Sequence, residues 1–272
     1  MKRFGRQRWW GFLLLGLASV TVLAAHMRWS AKLPKYAFIS GWALLAVMTF
    51  LALYNGRKKI PFLPAGRSEA WLQLHIYGGY FTVVLFAAHV NFRIPDGWFE
   101  SILTALFAIV TVSGFVGLFL SRVLPKRLNT RGGEVIFERI PAVRASLREE
   151  AEKLVFEGAV KSATIAELYV RQLSAFFAKP KYFWLHLVDS RAPLNAIVRE
   201  IDEVRPFVTE SERPSLEKLA DLVRRKDGLD YHRALQLALK VWLFVHLPIT
   251  YALMIYSLAH VLVVFAFSGG AG

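Results

Sequence analysis

Five runs of apolar residues are long enough to cross a bilayer as helices, since a spanning helix needs about 20 predominantly apolar residues. Charged or turn-forming residues separate the runs. The predicted spans are 9–26, 36–54, 71–92, 98–121 and 241–267. The basic start of the first run also resembles a secretory signal, and we expect that run to remain as span one. The pattern therefore predicts an all-α fold, an integral membrane helical bundle of five spans.

The long segment between spans four and five has a different pattern. Apolar residues recur at helical spacing in four of its stretches, including PAVRASLREEAEKLVFEGA and LNAIVREIDEVRPFV. Helix breaks are predicted at Gly158, Lys179–Pro180, Pro193 and Pro214. A short stretch, GGEVIFERI, can also be interpreted as a strand. We expect a helical cytoplasmic insert, and the predicted domains are 1–121, 122–239 and 240–272.

The composition is typical of a membrane protein, and it excludes several types of cofactor and nucleophile. The chain has 272 residues, of which 55% are hydrophobic, and it has no cysteine. Disulfides, thiolate nucleophiles, cysteine-ligated iron–sulfur clusters and covalently attached c-type haem are therefore excluded. Any haem in this protein must be held without a covalent bond to the chain, and histidine is the obvious ligand.

The formal net charge of +14 raises the question of nucleic acid binding, but its distribution argues against it. Segment 122–239 holds 21 basic and 17 acidic residues, so its surplus is only four. The rest of the surplus lies beside the apolar runs, where the positive-inside rule places Lys and Arg. We interpret the charge as membrane topology and contact with lipid, with no nucleic acid partner.

The Lys and Arg counts of the short segments predict the orientation. The N-terminal tail and loop 55–70 hold four each, whereas loop 27–35 holds three, loop 93–97 one and tail 269–272 none. Five spans place eight of these charges on one side and four on the other. We expect the N-terminus and the insert in the cytoplasm and the C-terminus outside, in a bacterial-type inner (plasma) membrane.

Spans three and five carry the candidate chemistry. Each holds two histidines fourteen residues apart, His75 and His89 in one and His246 and His260 in the other. An imidazole within hydrocarbon is costly and indicates function. Fourteen residues are about 21 Å along a helix and bring both rings within about 40° of one face. The two spans run in the same direction, so the histidines are predicted to pair at two depths, His75 with His246 and His89 with His260.

Two imidazoles on one iron would give a six-coordinate, closed site, which favours electron transfer over oxygen binding. The competing interpretation is that each histidine only hydrogen-bonds a neighbouring helix. Of the other three, His26 is predicted to be interfacial, His186 to have no ligand partner at metal spacing, and His232 to be a solvated residue at a helix entry. His232 lies fourteen residues before His246 and is a further candidate for binding a quinone head group or relaying a proton.

Four glycines extend the candidate cofactor site. Gly78 and Gly79 follow His75 at i+3 and i+4, and Gly114 and Gly117 thin span four. A missing side chain lets a porphyrin lie against a helix. Glycines at such positions equally serve plain helix packing, so both interpretations stay open.

HIYGGYFTVVLFAAH and HLPITYALMIYSLAH, two co-oriented H-x13-H spans, resemble the di-haem b-type cytochromes of respiratory membranes. The membrane domains of ferric reductases and NADPH oxidases are similar in ligand spacing. The resemblance implies two haem b groups, ligated by His75 with His246 and by His89 with His260, and electron transfer across the bilayer. The resemblance covers spans three to five well. Spans one and two resemble these families only in a general way.

Two features of these families are missing from the sequence. There is no G-x-G-x-x-G fingerprint or dehydrogenase module, and the Pro-Glu-Trp-Tyr quinol-site motif is absent. The expected function is therefore an electron-transfer subunit of a membrane oxidoreductase complex, carrying electrons between the quinone pool and a periplasmic redox partner such as a cytochrome. The alternatives are a conduit fed by a cytosolic flavoprotein and a structural subunit without haem. No catalytic residue is predicted.

Overall fold

The computed structural model of the protein describes residues 2–30, 32, 36–57, 68–128, 136–157 and 162–268. Over these residues the chain is all-α and contains no strand. Five of the described helices are long and apolar enough to cross a membrane. The predicted all-α membrane bundle of five spans is thereby confirmed.

The helices differ in length between the apolar and polar parts of the chain. In order they are α1 Lys2–Trp29, α2 Tyr36–Arg57, α3 Ser68–His89, α4 Trp98–Leu128, α5 Ile140–Glu152, α6 Ala163–Leu168, α7 Ser174–Ala178, α8 Phe183–Leu187, α9 Ala192–Val204 and α10 Arg213–Ser268. Single turns of 3₁₀ or π-helix occur at Phe137–Arg139, Lys153–Glu157, Tyr169–Leu173 and Arg205–Phe207. Helix α10 is continuous from the polar part of the chain through the fifth apolar run.

The chain divides into two compact units. We call Met1–Leu118 with Trp242–Gly272 the membrane unit, and Phe119–Val241 the insert unit. In the membrane unit, α3 packs against both α1 and α2. Its described buried core is contributed by four helices and consists of Leu44, Met48, Leu85, Phe107 and Leu253. Large apolar side chains cover its outer surface, as expected where hydrocarbon replaces water as the solvent.

The end of α3 corrects one predicted boundary. Span three was expected to reach residue 92, but the helix ends at His89. Asn91 and Phe92 have φ angles of 55° and 54°, and the Phe92 N–H bonds the Ala87 carbonyl at 2.9 Å. This is a Schellman-type stop, which caps the carbonyls that the last turn leaves unpaired. It makes His89 the last residue of α3.

The insert unit has its own core, in which Tyr169, Phe177, Leu219 and Val223 are almost completely buried. Its helices begin and end close to the predicted breaks. Lys179 follows the end of α7, and proline occupies the first turn of both α9 and α10, where its missing N–H costs nothing. Gly158 lies outside the described residues. The strand interpretation of GGEVIFERI is wrong for its described part, 136–140, which contains a 3₁₀ turn and the start of α5.

Candidate functional site

His89 of α3 and His260 of α10 face each other within the membrane unit. Their ring centroids are 6.4 Å apart and their planes are nearly perpendicular, at 87°. A metal–imidazole nitrogen bond is about 2 Å long and the ring centroid lies about 1 Å further, so two imidazoles on opposite sides of one metal have centroids about 6 Å apart. The observed separation therefore fits one metal ion held between the two rings.

The hydrogen bonds of His89 leave one ring nitrogen available for such a metal. Its Nδ1 lies 3.1 Å from the carbonyl oxygen of Ala37 and 3.2 Å from Oγ of Ser40. A carbonyl can only accept, so Nδ1 carries the proton and Nε2 presents a lone pair. Nε2 has no hydrogen bond to any residue that the structure describes. Metal-bound histidines usually donate their other N–H in this way.

Local packing fixes both rings of this pair. A Cβ added to Gly41 would lie 2.9 Å from Cε1 of His89, so the absence of a side chain there lets the ring approach α2. His260 stacks on the ring of Phe99, with centroids 6.2 Å apart and planes at 16°. Its Nδ1 is buried without a hydrogen-bond partner among the described residues. Apolar contacts therefore orient His260, whereas α2 orients His89.

A cavity of about 630 Å³ adjoins the two rings. Helices α2, α3, α4 and α10 line it, and its walls are mostly apolar and aromatic, with Phe38, Trp42 and Phe265 among them. Cofactor sites are typically concave, largely apolar cavities of a few hundred Å³ with a small number of placed polar groups. Here the placed groups include the imidazoles of His89 and His260, so the residues fit a flat, apolar macrocycle that takes two axial nitrogens.

The second predicted pair is arranged differently. Nδ1 of His246 lies 3.1 Å from Oγ of Ser113, and the ring stacks on Trp242 with centroids 5.4 Å apart. The Trp242 indole N–H donates to the Ser113 carbonyl at 2.8 Å. His75 packs beside the ring of Tyr54, with centroids 5.0 Å apart. The rings of His75 and His246 do not touch each other, in contrast to the closer pair.

The four predicted glycines fall into two groups. A leucine side chain of α2 occupies the space beside Gly78, and the Trp242 indole occupies that beside Gly117. These two glycines therefore serve close helix packing in the structure. Among the described residues, no heavy atom lies within 4 Å of a Cβ added to Gly79 or Gly114, apart from each glycine's chain neighbours and its own helix backbone. Both border open space, as a glycine beside a planar cofactor would.

The remaining three histidines are buried. His26 packs against two aromatic rings and is 8% exposed. His186 is buried in the insert unit, with Nε2 3.7 Å from Oδ1 of Asp227. His232 was expected to be solvated, but it is buried beside Tyr231, because this part of α10 belongs to the insert unit and faces its interior.

No group of three or more His, Cys, Asp or Glu side chains able to hold a metal occurs among the described residues. This does not conflict with haem, since a porphyrin supplies four nitrogens and needs only two from the protein. Sequence reasoning missed Ala37, Ser40 and Gly41, which position His89. The adjacent serine and glycine in an apolar span were the available signal, because small residues mark close helix contacts.

Comparisons of the chain with protein-family models, curated proteins and solved structures found no match. The function is therefore inferred from the residues of this chain and their geometry.

Proposed function

We propose that the chain is a membrane electron-transfer subunit that holds two b-type haems between α3 and α10. His89 and His260 would hold one, and His75 and His246 the other. The observation that carries the proposal is the 6.4 Å separation of the His89 and His260 rings beside an apolar cavity. A bound haem would supply one-electron redox chemistry, with its potential tuned by axial ligands and burial.

The residues around the imidazoles support ligation. Ala37 and Ser40 hold the Nδ1 proton of His89, which leaves the lone pair on Nε2. Oγ of Ser113 lies 3.1 Å from Nδ1 of His246. Such contacts fix the orientation of a ligand and raise its basicity. With two histidines on each iron no coordination position would stay open, so the site is suited to passing electrons rather than to binding oxygen.

The redox partners we propose are a quinone and a periplasmic protein such as a cytochrome. No nucleotide-binding fingerprint occurs in the sequence, which disfavours a chain that oxidises a nicotinamide cofactor itself. A chain that crosses the bilayer with two stacked carriers would link reactions at the two faces of a bacterial-type inner membrane. The resemblance to di-haem b-type cytochromes supports the same assignment, with the N-terminus in the cytoplasm.

A redox difference spectrum of the purified chain, combined with a haem count, tests this proposal. We expect two non-covalently bound haems per chain, low-spin spectra in both redox states, and reduction by a quinol analogue. A haem-free chain purified from haem-replete cells would overturn the proposal. Two haems that a quinol cannot reduce, but that a cytosolic flavoprotein reduces, would replace the quinone with that donor.

One observation favours a second candidate, a structural membrane subunit without haem. His89 bridges α3 to α2, and His246 bridges α10 to α4 through Ser113. Interhelical hydrogen bonds of this kind are used to associate transmembrane helices. The two candidates differ in the haem count, because bridging histidines would leave a stable, colourless protein.

A further inference from the structure

Helix α8 of the insert unit presents large apolar side chains outward. Trp184 is 77% exposed, Val188 70% and Leu185 42%. Val188 directly follows α8, and its N–H donates to the Trp184 carbonyl at 3.3 Å. We call Trp184, Leu185 and Val188 the α8 patch. The opposite side of the same short helix is buried, with His186 almost fully enclosed.

The α8 patch is held by the polar ends of two membrane-crossing helices. Leu187 packs in a cluster with Leu124 of α4 and Leu235 of α10. The Arg127 guanidinium on α4 donates to the Leu187 carbonyl at 2.7 Å. Both contacts therefore join α8 to helices that continue into apolar spans.

The chain leading into α8 is anchored to α10 by a buried ion pair. Lys226 and Asp230 lie 2.6 Å apart and are both almost fully buried. The Lys226 ammonium also donates to the carbonyl of Lys179, at 2.9 Å, and Asp230 accepts from the Lys181 N–H, at 3.0 Å. The segment before α8 is therefore tied to one position on α10, and the outward direction of the patch is built into the fold.

These contacts are close in sequence to the predicted ends of the two spans. Leu124 lies three residues past the predicted end of span four at 121, and Leu235 lies six residues before the start of span five at 241. At 1.5 Å per residue these are distances of about 5 and 9 Å along each helix. The polar layer of a bilayer is about 5 to 8 Å thick on each side. Counted along its own helix, Leu124 is within that thickness of the span end, and Leu235 is just beyond it.

The charges around the patch match an anionic lipid surface. Segment 179–191 has three basic residues and one acidic residue, and segment 119–128 has three basic and no acidic residues. Another exposed aromatic residue of the insert unit, Phe207 at 76%, has opposite surroundings. Segment 200–212 around it holds five acidic residues and one basic residue. The exposed Trp184 of the α8 patch is thus flanked by basic residues, whereas the exposed Phe207 is flanked by acidic residues.

We propose that the α8 patch inserts into the headgroup region of the membrane that the chain itself crosses. Trp184 would lie at the boundary between headgroups and acyl chains, where tryptophan is enriched in membrane proteins. Lys179, Lys181 and Arg191 would contact lipid phosphates, since basic side chains near the surface are attracted to an anionic leaflet. Apolar burial combined with basic flanks is the general mode of interfacial helix binding.

Spin labelling tests this inference directly, because the sequence contains no cysteine that would have to be removed. The full chain carrying Val188→Cys is labelled with a nitroxide and reconstituted in nanodiscs of phosphatidylglycerol and phosphatidylcholine. Oxygen concentrates in lipid, and a nickel chelate stays in water. We expect the label at 188 to collide several-fold more with oxygen than with the chelate. Phe207→Cys, from an equally exposed aromatic site, should give the opposite ratio.

Two further measurements complete the test. Leu185→Cys should behave like the label at 188, and it replaces Val188→Cys if that variant does not elute as a folded, helical protein. Changing Lys179, Lys181 and Arg191 together to serine, or omitting phosphatidylglycerol, should bring the labels closer to water. A label at 188 as accessible to the chelate as that at 207 would overturn the inference. So would a label shielded from both reagents in nanodiscs and in detergent, since that would indicate a protein partner.

Discussion

The Nδ1 atom of His89 and the carbonyl oxygen of Ala37 lie 3.1 Å apart, which ties the last residue of α3 to the first turn of α2. This contact sets the tautomer of the imidazole and the direction in which Nε2 presents its lone pair. The rings of His89 and His260 have centroids 6.4 Å apart, and a shared metal would need the lone pair of a ring nitrogen from each. The contact with Ala37 therefore determines whether His89 can offer one.

Replacing either member of a histidine pair should remove the same haem. We expect His89→Ala and His260→Ala each to lower the haem count from two to one per chain, and the double variant to lose no more than either single one. Loss is expected because one remaining imidazole leaves the iron half-ligated in an apolar cavity. Haem extraction with pyridine and a redox difference spectrum measure the count and identify the component that is lost.

His26→Ala is the matched control, since His26 is also a buried histidine of a membrane helix but is not a member of either pair. It should retain both haems. His75→Ala and His246→Ala should remove the other spectral component. Retention of both haems in His89→Ala and His260→Ala would show that these residues only pack helices.

The sequence predicted the part of this site that depends on spacing along one helix. The fourteen-residue separation of His75 from His89, and of His246 from His260, is visible because a helix converts spacing into direction. The contact of His89 with Ala37 and Ser40 was not predictable in the same way, since it depends on how two helices cross. Hydropathy also placed the end of span three at residue 92, because the apolar Phe92 gives no sign of its left-handed φ.

Removing the hydroxyl of Ser40 or of Ser113 should change the redox potential of one haem in each case, and of a different haem in the two variants. Ser40 and Ser113 both place a hydroxyl about 3 Å from the Nδ1 atom of a histidine, His89 and His246 respectively. Changes next to a metal ligand typically cost 10–100-fold in affinity, and a lost hydrogen bond also alters the redox potential of the bound group. We expect Ser40→Ala to shift the potential of the haem at His89 and His260, and Ser113→Ala to shift that of the other.

Potentiometric titration resolves the two components, and each serine variant is the control for the other. His89 keeps its bond to the Ala37 carbonyl in Ser40→Ala, so we expect the smaller shift from that variant. Equal shifts of both potentials in either variant would contradict the assignment of one serine to each site.

Adding a methyl group at Gly41 should disturb the haem at His89 and His260. A Cβ there would approach Cε1 of His89 to 2.9 Å, so the ring or α2 must move, and ligand geometry is sensitive to such shifts. We expect Gly41→Ala to lose or destabilise that haem. Gly16→Ala is the matched control, because in the part of the chain that the structure describes no heavy atom outside its chain neighbours and own helix backbone lies within 4 Å of a Cβ at that position. Equal haem content in the two variants would contradict the prediction.

The insert unit should lose stability at alkaline pH through Tyr169. Burial raises the pKa of Tyr169 to about 12, and the Glu152 carboxylate, which accepts the phenol hydrogen bond at 3.3 Å, raises it as well. An unfolded tyrosine has a pKa of about 10. The folded state therefore holds the proton more tightly, and the resulting stability is complete below pH 10 and is lost as the pH rises to about 12.

Hydrogen exchange of the insert unit in the full chain, measured from pH 9 to 12, tests whether its stability falls as the pH rises. Tyr169→Phe has no ionisable phenol, so its stability should fall less over this range than that of the unchanged chain. Tyr182→Phe, at an exposed position, should follow the unchanged chain. An equally steep loss in Tyr169→Phe would show that other groups cause the alkaline destabilisation.

Lys226→Met should be one of the most destabilising single changes in the insert unit. The Lys226 ammonium is fully buried, lies 3.9 Å from the Phe176 ring centroid and pairs with Asp230. Removing it leaves a buried carboxylate without its counter-charge, which typically costs about 3–5 kcal/mol. Hydrogen exchange on peptides of the insert unit, measured with the full chain in detergent, gives the change in the free energy of unfolding.

The neighbouring Arg225 provides the matched control, because it pairs with Asp221 at the same i,i+4 spacing and a distance of 2.8 Å, but both side chains are more than half exposed. An exposed pair contributes less than about 1 kcal/mol, so Arg225→Met should cost little. Equal losses from the two changes would mean that Asp230 reaches water in the folded state. The Lys226–Asp230 pair also binds the backbone of residues 179 and 181. We therefore expect Lys226→Met to loosen α8, so that a nitroxide label at residue 188 collides more often with the water-soluble nickel chelate.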